Sequence, residues 1–280
     1  MKFGIEEICN SLGISRQGYY KAGKQKQKTE DEESKLIDKI LALRSQMPML
    51  GGRKLYVLLK QEIESLSKPI GRDKFFKLLK NKNLLIKPKK YRPKTTESKH
   101  RFKKYDNLIK NLEINRINQV HVSDITYLRT VDRFCYLFLI TDLYSRRIMG
   151  EDLSDSLAIE GGLRALKMAT DKLQKTEGRI HHSDRGIQYC SNIYTEKLTN
   201  LGMKISMTEH ANPYENAVAE RVNGILKQEF MLDKTFPDIK TARKAVKEAI
   251  RIYNEQRPHM SLAYKTPVQV YYASNELSTY

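Results

Sequence analysis

The sequence predicts an α/β fold, in which a mixed five-stranded sheet carries helices on its faces and follows an all-α region. Apolar residues recur with a helical period through the first third of the chain, which indicates amphipathic helices. After residue 116 the period becomes two-fold in three successive segments, and strand-like and helix-like segments then alternate. We therefore divide the 280 residues into a helical region at 1–85, a basic linker at 86–105 and an α/β domain at 106–280.

Positive charge is concentrated at the beginning of the chain. The formal net charge is +18, and residues 1–105 hold 27 Lys and Arg against 11 Asp and Glu, whereas residues 106–280 hold 24 against 22. A field of this size attracts polyanions, and nucleic acid is the obvious candidate. The first third is thus predicted to supply most of the electrostatic attraction.

The cysteines and the apolar segments exclude several classes of protein. Cys9, Cys135 and Cys190 are odd in number and form no Cys-x-x-Cys pattern, so neither a disulfide framework nor a zinc site is supported. The longest apolar run, Phe134–Ile140, is much shorter than the roughly 18 residues of a membrane span. The first 20 residues lack the apolar region of a secretory signal. We expect a protein of the reducing cytoplasm without a membrane partner.

The first helices follow a helix-turn-helix plan. The apolar positions between Ile5 and Leu12 have helical spacing, Gly13 can end that helix, and Ser15 is a good N-cap for the next. The second helix of such a pair can enter a major groove, which would place Arg16 and Gln17 at the DNA. A plain helical hairpin has the same spacing and remains the alternative.

The rest of the helical region is predicted to be a polar linker followed by three helices. Residues 21–33 change from Lys-rich to acidic and are typical of a solvated linker. Helices are then expected at residues 36–47, 54–64 and 72–80. Basic residues on their outer faces are expected at Arg53, Lys54, Arg72, Lys74, Lys77, Lys80 and Lys82.

A basic, proline-containing segment joins the two predicted domains. Its prolines favour an extended backbone, and its positive side chains are interleaved with Tyr91. Such a segment can lie along a phosphate backbone and would make DNA binding strongly dependent on salt. The candidate DNA contacts here are Lys87, Lys89, Lys90 and Arg92. For the basic helix faces that precede this segment, a merely solvated face is the alternative.

The α/β domain begins with three strands joined by short connections, which predicts an antiparallel meander. The order of elements after the meander indicates a mixed sheet covered by helices, which is the ribonuclease-H-like plan in outline. The predicted strands are 120–128, 134–142, 146–152, 179–182 and 203–206. The predicted helices are 156–174, 192–201, 214–230 and 239–256, and the last ends at Arg257-Pro258.

Three carboxylates in this domain can converge. Asp124 lies in the first strand, Asp184 follows the fourth, and Glu220 lies in a helix. Acids placed close together repel each other and raise each other's pKa, and a hard divalent cation such as Mg²⁺ or Mn²⁺ removes that cost. Taken singly, Asp124 is typical of a strand acid facing solvent, Asp184 of a turn residue and Glu220 of a helix-surface acid. Taken together, the three acids point to phosphodiester chemistry.

The motifs around these acids carry a family resemblance. They are Ser-Asp-Ile-Thr-Tyr at 123–127, His-Ser-Asp-Arg-Gly at 182–186, Asn-Ala-x-x-Glu at 216–220, Lys227, and Tyr-Asn-x-x-Arg-Pro-His-x-Ser-Leu at 253–262. Thirty-five residues separate Asp184 from Glu220. With these motifs the chain resembles the second-reading-frame catalytic protein of insertion sequence 3 family transposases, within the retroviral-integrase-like DDE superfamily. It departs from the family pattern at His121, where Trp is usual, and at Glu215, where Asp is usual.

The resemblance implies a metal-binding triad of Asp124, Asp184 and Glu220, with Lys227 as a contact to the DNA end. It implies two Mg²⁺ or Mn²⁺ ions about 3.5–4 Å apart, with Asp124 bridging both. The expected reaction is cleavage at the ends of an insertion sequence, followed by transfer of the 3′-OH into target DNA. Arg257 and His259 follow a helix end and are candidates for binding phosphate, with solvated tail residues as the alternative. His182 is expected to orient a carboxylate, to contact the substrate phosphate, or to be a buried, hydrogen-bonded histidine.

The resemblance also implies partners and a location. The expected partners are terminal inverted repeats and target DNA, further copies of the chain in the DNA complex, and an upstream-frame protein or fusion. The expected location is the bacterial cytoplasm, in association with the nucleoid. A DNA-binding regulator without catalysis and an RNase-H-type nuclease are the competing interpretations; the first would bind DNA without regard to Mg²⁺, and the second would cleave RNA in a hybrid.

Overall fold

The computed structural model describes residues 4–86, 101–171, 173–209 and 216–276. The chain divides into two compact units, Met1–Ile86 and Lys87–Tyr280. Most of the predicted linker at 86–105, including Lys87, Lys89, Lys90 and Arg92, lies outside the described residues. Within the described part of the chain, no helix combines the length and apolar character that crossing a bilayer requires.

The N-terminal unit begins with the expected pair of helices. Helix α1 ends at Gly13, whose φ of 65° is the left-handed conformation that glycine adopts at helix ends. Ser15 caps α2, because its Oγ accepts a hydrogen bond from the Gly18 amide at 3.0 Å. The helices of this unit are α1 (Ile5–Leu12), α2 (Arg16–Gln46), α3 (Gly52–Leu58), α4 (Lys60–Glu64) and α5 (Arg72–Asn81).

The linker predicted at residues 21–33 is wrong, since these residues belong to the 31-residue helix α2. Lys, Glu and Gln favour a helix intrinsically, and a polar helix has no apolar period that would reveal it. A tertiary contact also fixes this stretch, because Glu32 accepts hydrogen bonds from the amide and the hydroxyl of Ser67 at 3.2 and 2.7 Å. Lys54, expected on an outer face, is only 9% exposed.

The second unit is built on a mixed sheet whose spatial order is β3-β2-β1-β4-β5, as the predicted ribonuclease-H-like plan requires. Strand β1 is antiparallel to β2, which is antiparallel to β3, whereas β1, β4 and β5 run parallel. The strands are β1 (Val120–Thr130), β2 (Phe134–Asp142), β3 (Ile148–Ser154), β4 (Ile180–Ser183), β5 (Lys204–Met207) and β6 (Thr235–Phe236). The two-residue β6, which pairs with the end of β1, was not predicted.

Helices cover both faces of the sheet, as expected. Phe138 and Ile140 pack with Ala165, Leu166 and other residues on one face, and the opposite face contacts Ala219. Gly150 lets β3 approach the next helix closely, because a Cβ at this position would collide with the Ala165 carbonyl oxygen. The helices of this unit are α6 (Glu160–Thr170), α7 (Ile187–Cys190), α8 (Asn192–Asn200), α9 (Ala217–Glu229), α10 (Ile239–Glu255) and α11 (Pro267–Glu276).

Helix α10 follows the edge strand β3. The Asn254 side chain accepts a hydrogen bond from the Ile148 amide at 2.9 Å and donates one to the Ile148 carbonyl at 3.0 Å. Arg243 donates to the Leu153 carbonyl at 3.0 Å near the other end of β3. The edge strand is therefore hydrogen-bonded to α10 at both of its ends.

Candidate active site

The register of two parallel strands brings Asp124 and Asp184 together. Val122 of β1 is paired with His182 of β4. Two residues further along, the same offset places Asp124 beside Asp184, which lies one residue beyond the end of β4. Asp184 begins a turn there, and its Oδ1 accepts a hydrogen bond from the Gly186 amide at 3.0 Å.

Glu220 reaches the same place from the first turn of α9, which packs on β1. Two asparagines attach this helix to the strand. Asn216 donates to the Ser123 carbonyl at 3.1 Å, and Asn223 donates to Oδ2 of Asp124 at 2.8 Å. Because residues three and four apart lie on one face of a helix, Glu220 is on the same face as both asparagines and is turned toward β1.

The pKa of Asp124 reflects both its burial and the charges of the other two acids. Burial raises the pKa of Asp124 to about 7, the negative charge of Asp184 adds to the rise, and Glu220 contributes a smaller part. The hydrogen bond from Asn223 opposes this shift without cancelling it. The charged form of Asp124 is therefore disfavoured near neutral pH. A nearby cation would offset both the cost of burying this charge and its repulsion by the other acids.

The donor chemistry fits hard divalent cations, because the converging ligands are carboxylate oxygens with no Cys or His among them. In the described part of the chain, no three His, Cys, Asp or Glu side chains are grouped closely enough to form a ready metal site.

A buried polar cluster lies behind the acids. Nε2 of His181 is 3.1 Å from Ser123 Oγ and 3.1 Å from the Tyr194 hydroxyl, and burial lowers the His181 pKa to about 3, so its ring is neutral. His182 is fully buried, with Nδ1 2.8 Å from Ser206 Oγ. Of the three interpretations of His182, the buried, hydrogen-bonded histidine agrees with this position.

The predicted DNA contacts occupy different kinds of position. Arg16 and Gln17 are exposed in the first turn of α2. Lys227 is half-buried in the last turns of α9, two helical turns from Glu220 on the same face. The DNA contacts proposed for these residues stay predictions.

The predicted DNA contact of Arg257 is wrong in this structure. Its side chain is 2% exposed, and its guanidinium donates two hydrogen bonds to Glu229, both 2.8 Å long. Planar, bidentate pairs of this kind hold the guanidinium in one orientation. His259, the second candidate for binding phosphate at this helix end, is also buried.

Sequence reasoning missed the residues that hold the acids in place. Asn216 and Asn223 flank Glu220 at four and three residues, a helical spacing that marks them as partners on one face. Glu229 gave no local signal, because its partner Arg257 is 28 residues further along the chain.

Two family matches cover the region that carries the acids. A family described as "Integrase core domain" matches residues 115–213, and a second family with the same description matches residues 201–267. Together they include Asp124, Asp184, Glu220 and the helix that follows the third acid.

Curated relatives extend the likeness to nearly the whole chain. A protein named "Insertion element IS600 uncharacterized 31 kDa protein" from Shigella sonnei is 33% identical over 265 residues, covering 93% of this chain and 96% of the relative. A transposase for IS629 from the same organism is 27% identical over 98% of this chain and 94% of the relative. A transposase for IS904 from Lactococcus lactis subsp. lactis is 31% identical over 68% of this chain and 76% of the relative.

Among solved structures, the HTLV-2 integrase catalytic core domain in complex with magnesium aligns with a TM-score of 0.45 and 20% identity, covering 56% of this chain and 97% of that chain. The expectation of an enzyme of the DDE transposase and integrase class is confirmed by the relatives and the matched families. The narrower assignment to the insertion sequence 3 family stays a prediction. The chain belongs to the insertion-sequence transposases that carry an integrase core domain.

Proposed function

We propose that this chain cuts DNA at the ends of an insertion sequence of the insertion sequence 3 family and joins the resulting 3′-OH to target DNA, using two Mg²⁺ or Mn²⁺ ions. The main support is the register of β1 and β4, which brings Asp124 and Asp184 to the same level of two neighbouring strands. Glu220 completes the set from a helix attached to β1.

Each acid has a separate part in this proposal. Asp124, whose pKa is raised by the charges of both other acids, would be the ligand shared by both ions, whereas Asp184 and Glu220 would each hold one. Two ions held in this way would activate the attacking oxygen and stabilise the leaving oxygen of an in-line displacement. Asn223 keeps the shared carboxylate in one orientation through its 2.8 Å hydrogen bond.

The reaction exchanges one P–O bond for another in both steps. With water as the attacking group, the phosphodiester bond at the element end is broken and a 3′-OH is released. With that 3′-OH as the attacking group, a bond in the target is broken and the element is joined to it. Every oxygen that attacks or leaves belongs to water or DNA, so no covalent intermediate with the protein is needed.

DNA binding is assigned to several regions of the chain. Arg16 and Gln17 are proposed to face a major groove, Lys227 to contact the DNA end, and the segment containing Lys87, Lys89, Lys90 and Arg92 to follow the phosphate backbone. Because two element ends must be joined to one target, we propose that several copies of the chain act together. An upstream-frame protein or fusion is a further proposed partner.

The direct test is the variant D184N with a duplex that carries the terminal sequence flanking the gene. Loss of one metal-binding carboxylate is expected to reduce Mg²⁺-dependent cleavage on the order of 10³-fold, since such ligation contributes several kcal/mol to the transition state. DNA affinity should be unchanged. D171N is the matched control, because Asp171 forms only an exposed ion pair with Lys167.

The outcome separates this proposal from a regulator without catalysis, which the net positive charge of residues 1–105 also favours. A regulator would bind the duplex with the same affinity in Mg²⁺ and in EDTA, and the wild-type chain would leave the DNA intact. Cleavage that persists in D184N would refute the assignment of the acids.

A further inference from the structure

The end of α9 distant from Glu220 is held by a buried ion pair. Arg257 and Glu229 are joined by two hydrogen bonds of 2.8 Å, and their side chains are 2% and 15% exposed. Removing two charges from water is costly, so a buried pair of this kind contributes little net stability compared with apolar residues of the same volume. Its presence calls for an explanation other than stability.

Arg257 extends from a part of the chain that is itself fixed. The Tyr253 hydroxyl donates to the Arg146 carbonyl at 3.0 Å, and the Asn254 side chain bonds both backbone groups of Ile148. These bonds tie the last turn of α10 to the beginning of β3. Arg257 follows two residues after this helix and therefore starts from a position defined by the sheet.

Helix α9 is thereby held at both of its ends. Asn216 and Asn223 attach its beginning to β1, and the ion pair of Glu229 attaches its end to the chain that follows α10. Glu220 and Glu229 are nine residues apart, about 13 Å along a helix. Because a helix behaves as a stiff rod, releasing its distant end lets the element tilt about its attached beginning and changes the direction of the Glu220 side chain.

We propose that Arg257 and Glu229 are positioning residues, which set the angle of α9 so that Glu220 meets Asp124 at the metal site. The proposal rests on the proposed metal-dependent function. In this proposal Arg257 orients α9 and does not contact DNA. Tyr253 and Asn254 contribute by fixing the part of the chain from which Arg257 extends.

Mn²⁺ binding to the full chain, measured by electron paramagnetic resonance without DNA, tests this proposal. R257K keeps the positive charge but loses the second hydrogen bond, and E229Q leaves the guanidinium without its counter-charge. Both are expected to weaken Mn²⁺ binding about tenfold, as outer partners of metal ligands do. R251Q is the matched control, because Arg251 also forms two ion pairs from α10 but is 45% exposed; its Mn²⁺ affinity should equal that of the wild type.

A double variant, E229M/R257M, separates positioning from stability. Apolar replacement of a buried ion pair commonly restores or raises stability. The proposal expects a melting temperature close to that of the wild type together with Mn²⁺ binding that is still about tenfold weaker. If Mn²⁺ affinity returned together with stability, or if R257K bound Mn²⁺ as the wild type does, the positioning role would be refuted.

The two proposals fail in different ways. A wild-type chain that binds Mn²⁺ but never cleaves the terminal duplex would refute the transposition chemistry, while the variants would still report on the angle of α9. A wild-type chain that cleaves, with R257K indistinguishable in Mn²⁺ affinity and in the Mn²⁺ concentration needed for cleavage, would refute the positioning role alone.

Discussion

Two aspartates on neighbouring strands have opposite electrostatic surroundings: Asp142 is fully buried and Asp124 is half-buried. Asp142, at the end of β2, accepts hydrogen bonds from the amides of Asn118 and Ser145 at 2.7 and 2.8 Å and from the Ser145 hydroxyl at 2.5 Å. Asp124, in β1, receives one side-chain hydrogen bond, from Asn223, and faces Asp184 and Glu220. Burial raises the pKa of both carboxyl groups.

The difference lies in what opposes the burial. Around Asp142 every other influence on its pKa favours the charged form, including the positive charge of Arg146. Around Asp124 the nearby charges are negative, and only hydrogen bonds favour the charged form. The hydrogen bonds to Asp142 thus stabilise its charged form and hold the turn between β2 and β3. The negative charges around Asp124 would instead favour a bound cation.

The largest expected contrast is in activity. D124N should lower cleavage of the terminal duplex on the order of 10³-fold, because the ligand proposed to serve both ions is lost. The cleavage rate of D142N per folded molecule should stay within about threefold of the wild-type rate. This change is well below the effect of losing a metal ligand. Comparable losses in both variants would erase the distinction between the two aspartates.

Stability should show the reverse order. In D142N an amide group faces the Ser145 donors, which leaves buried donors without an acceptor, and the cost is expected to be about 2 kcal/mol. Urea unfolding of the second unit, followed by tyrosine fluorescence, measures this loss. D124N serves as the comparison, since it removes repulsion and is expected to unfold at a urea concentration no lower than the wild type.

The hydrogen bond from Asn223 gives a smaller effect on the metal. N223A frees the Asp124 carboxylate to rotate, and Mn²⁺ affinity is expected to fall about tenfold while the acids themselves remain. Calorimetric titration with Mn²⁺ measures the change. N192A offers a control amide in another helix, α8, and an equal loss there would remove the special place given to Asn223.

The smallest contrast concerns pH. The pKa of Asp124 is about 7 in the folded chain against an ordinary value of 3.8. Between these two pH values the unfolded chain has lost the proton and the folded chain still holds it. The free energy of unfolding therefore falls as the pH rises from about 4 to about 7. D124N removes the penalty. In EDTA its melting temperature should exceed that of the wild type by about 4 °C at about pH 8 and by almost nothing at about pH 4. A constant difference across this range would contradict the shifted pKa.

The sequence was sufficient to predict the strands and the helix that carry the acids, because these elements follow local patterns of apolar residues. Once β1 and β4 are assigned and run parallel, Asp124 and Asp184 follow at one edge of the sheet, and the helical period after Asn216 places Glu220. Each of these steps uses a pattern within about ten residues, the range over which local sequence controls structure.

The errors share another cause, which is contact between distant residues. A charged residue is usually exposed, so Arg257 gave a local signal for a surface contact, and only the fold shows that Glu229 lies opposite it. Residues 21–33 lacked an apolar period, and their helix is held in part by the contact between Glu32 and Ser67, 35 residues apart.

The side chain of Asn254 has a consequence for assembly. An edge strand with free amide and carbonyl groups can recruit a strand from another molecule and extend the sheet without limit. At Ile148 the carboxamide occupies both groups, as a neighbouring peptide unit would. Addition of a strand from another copy of this unit is therefore blocked at the start of β3.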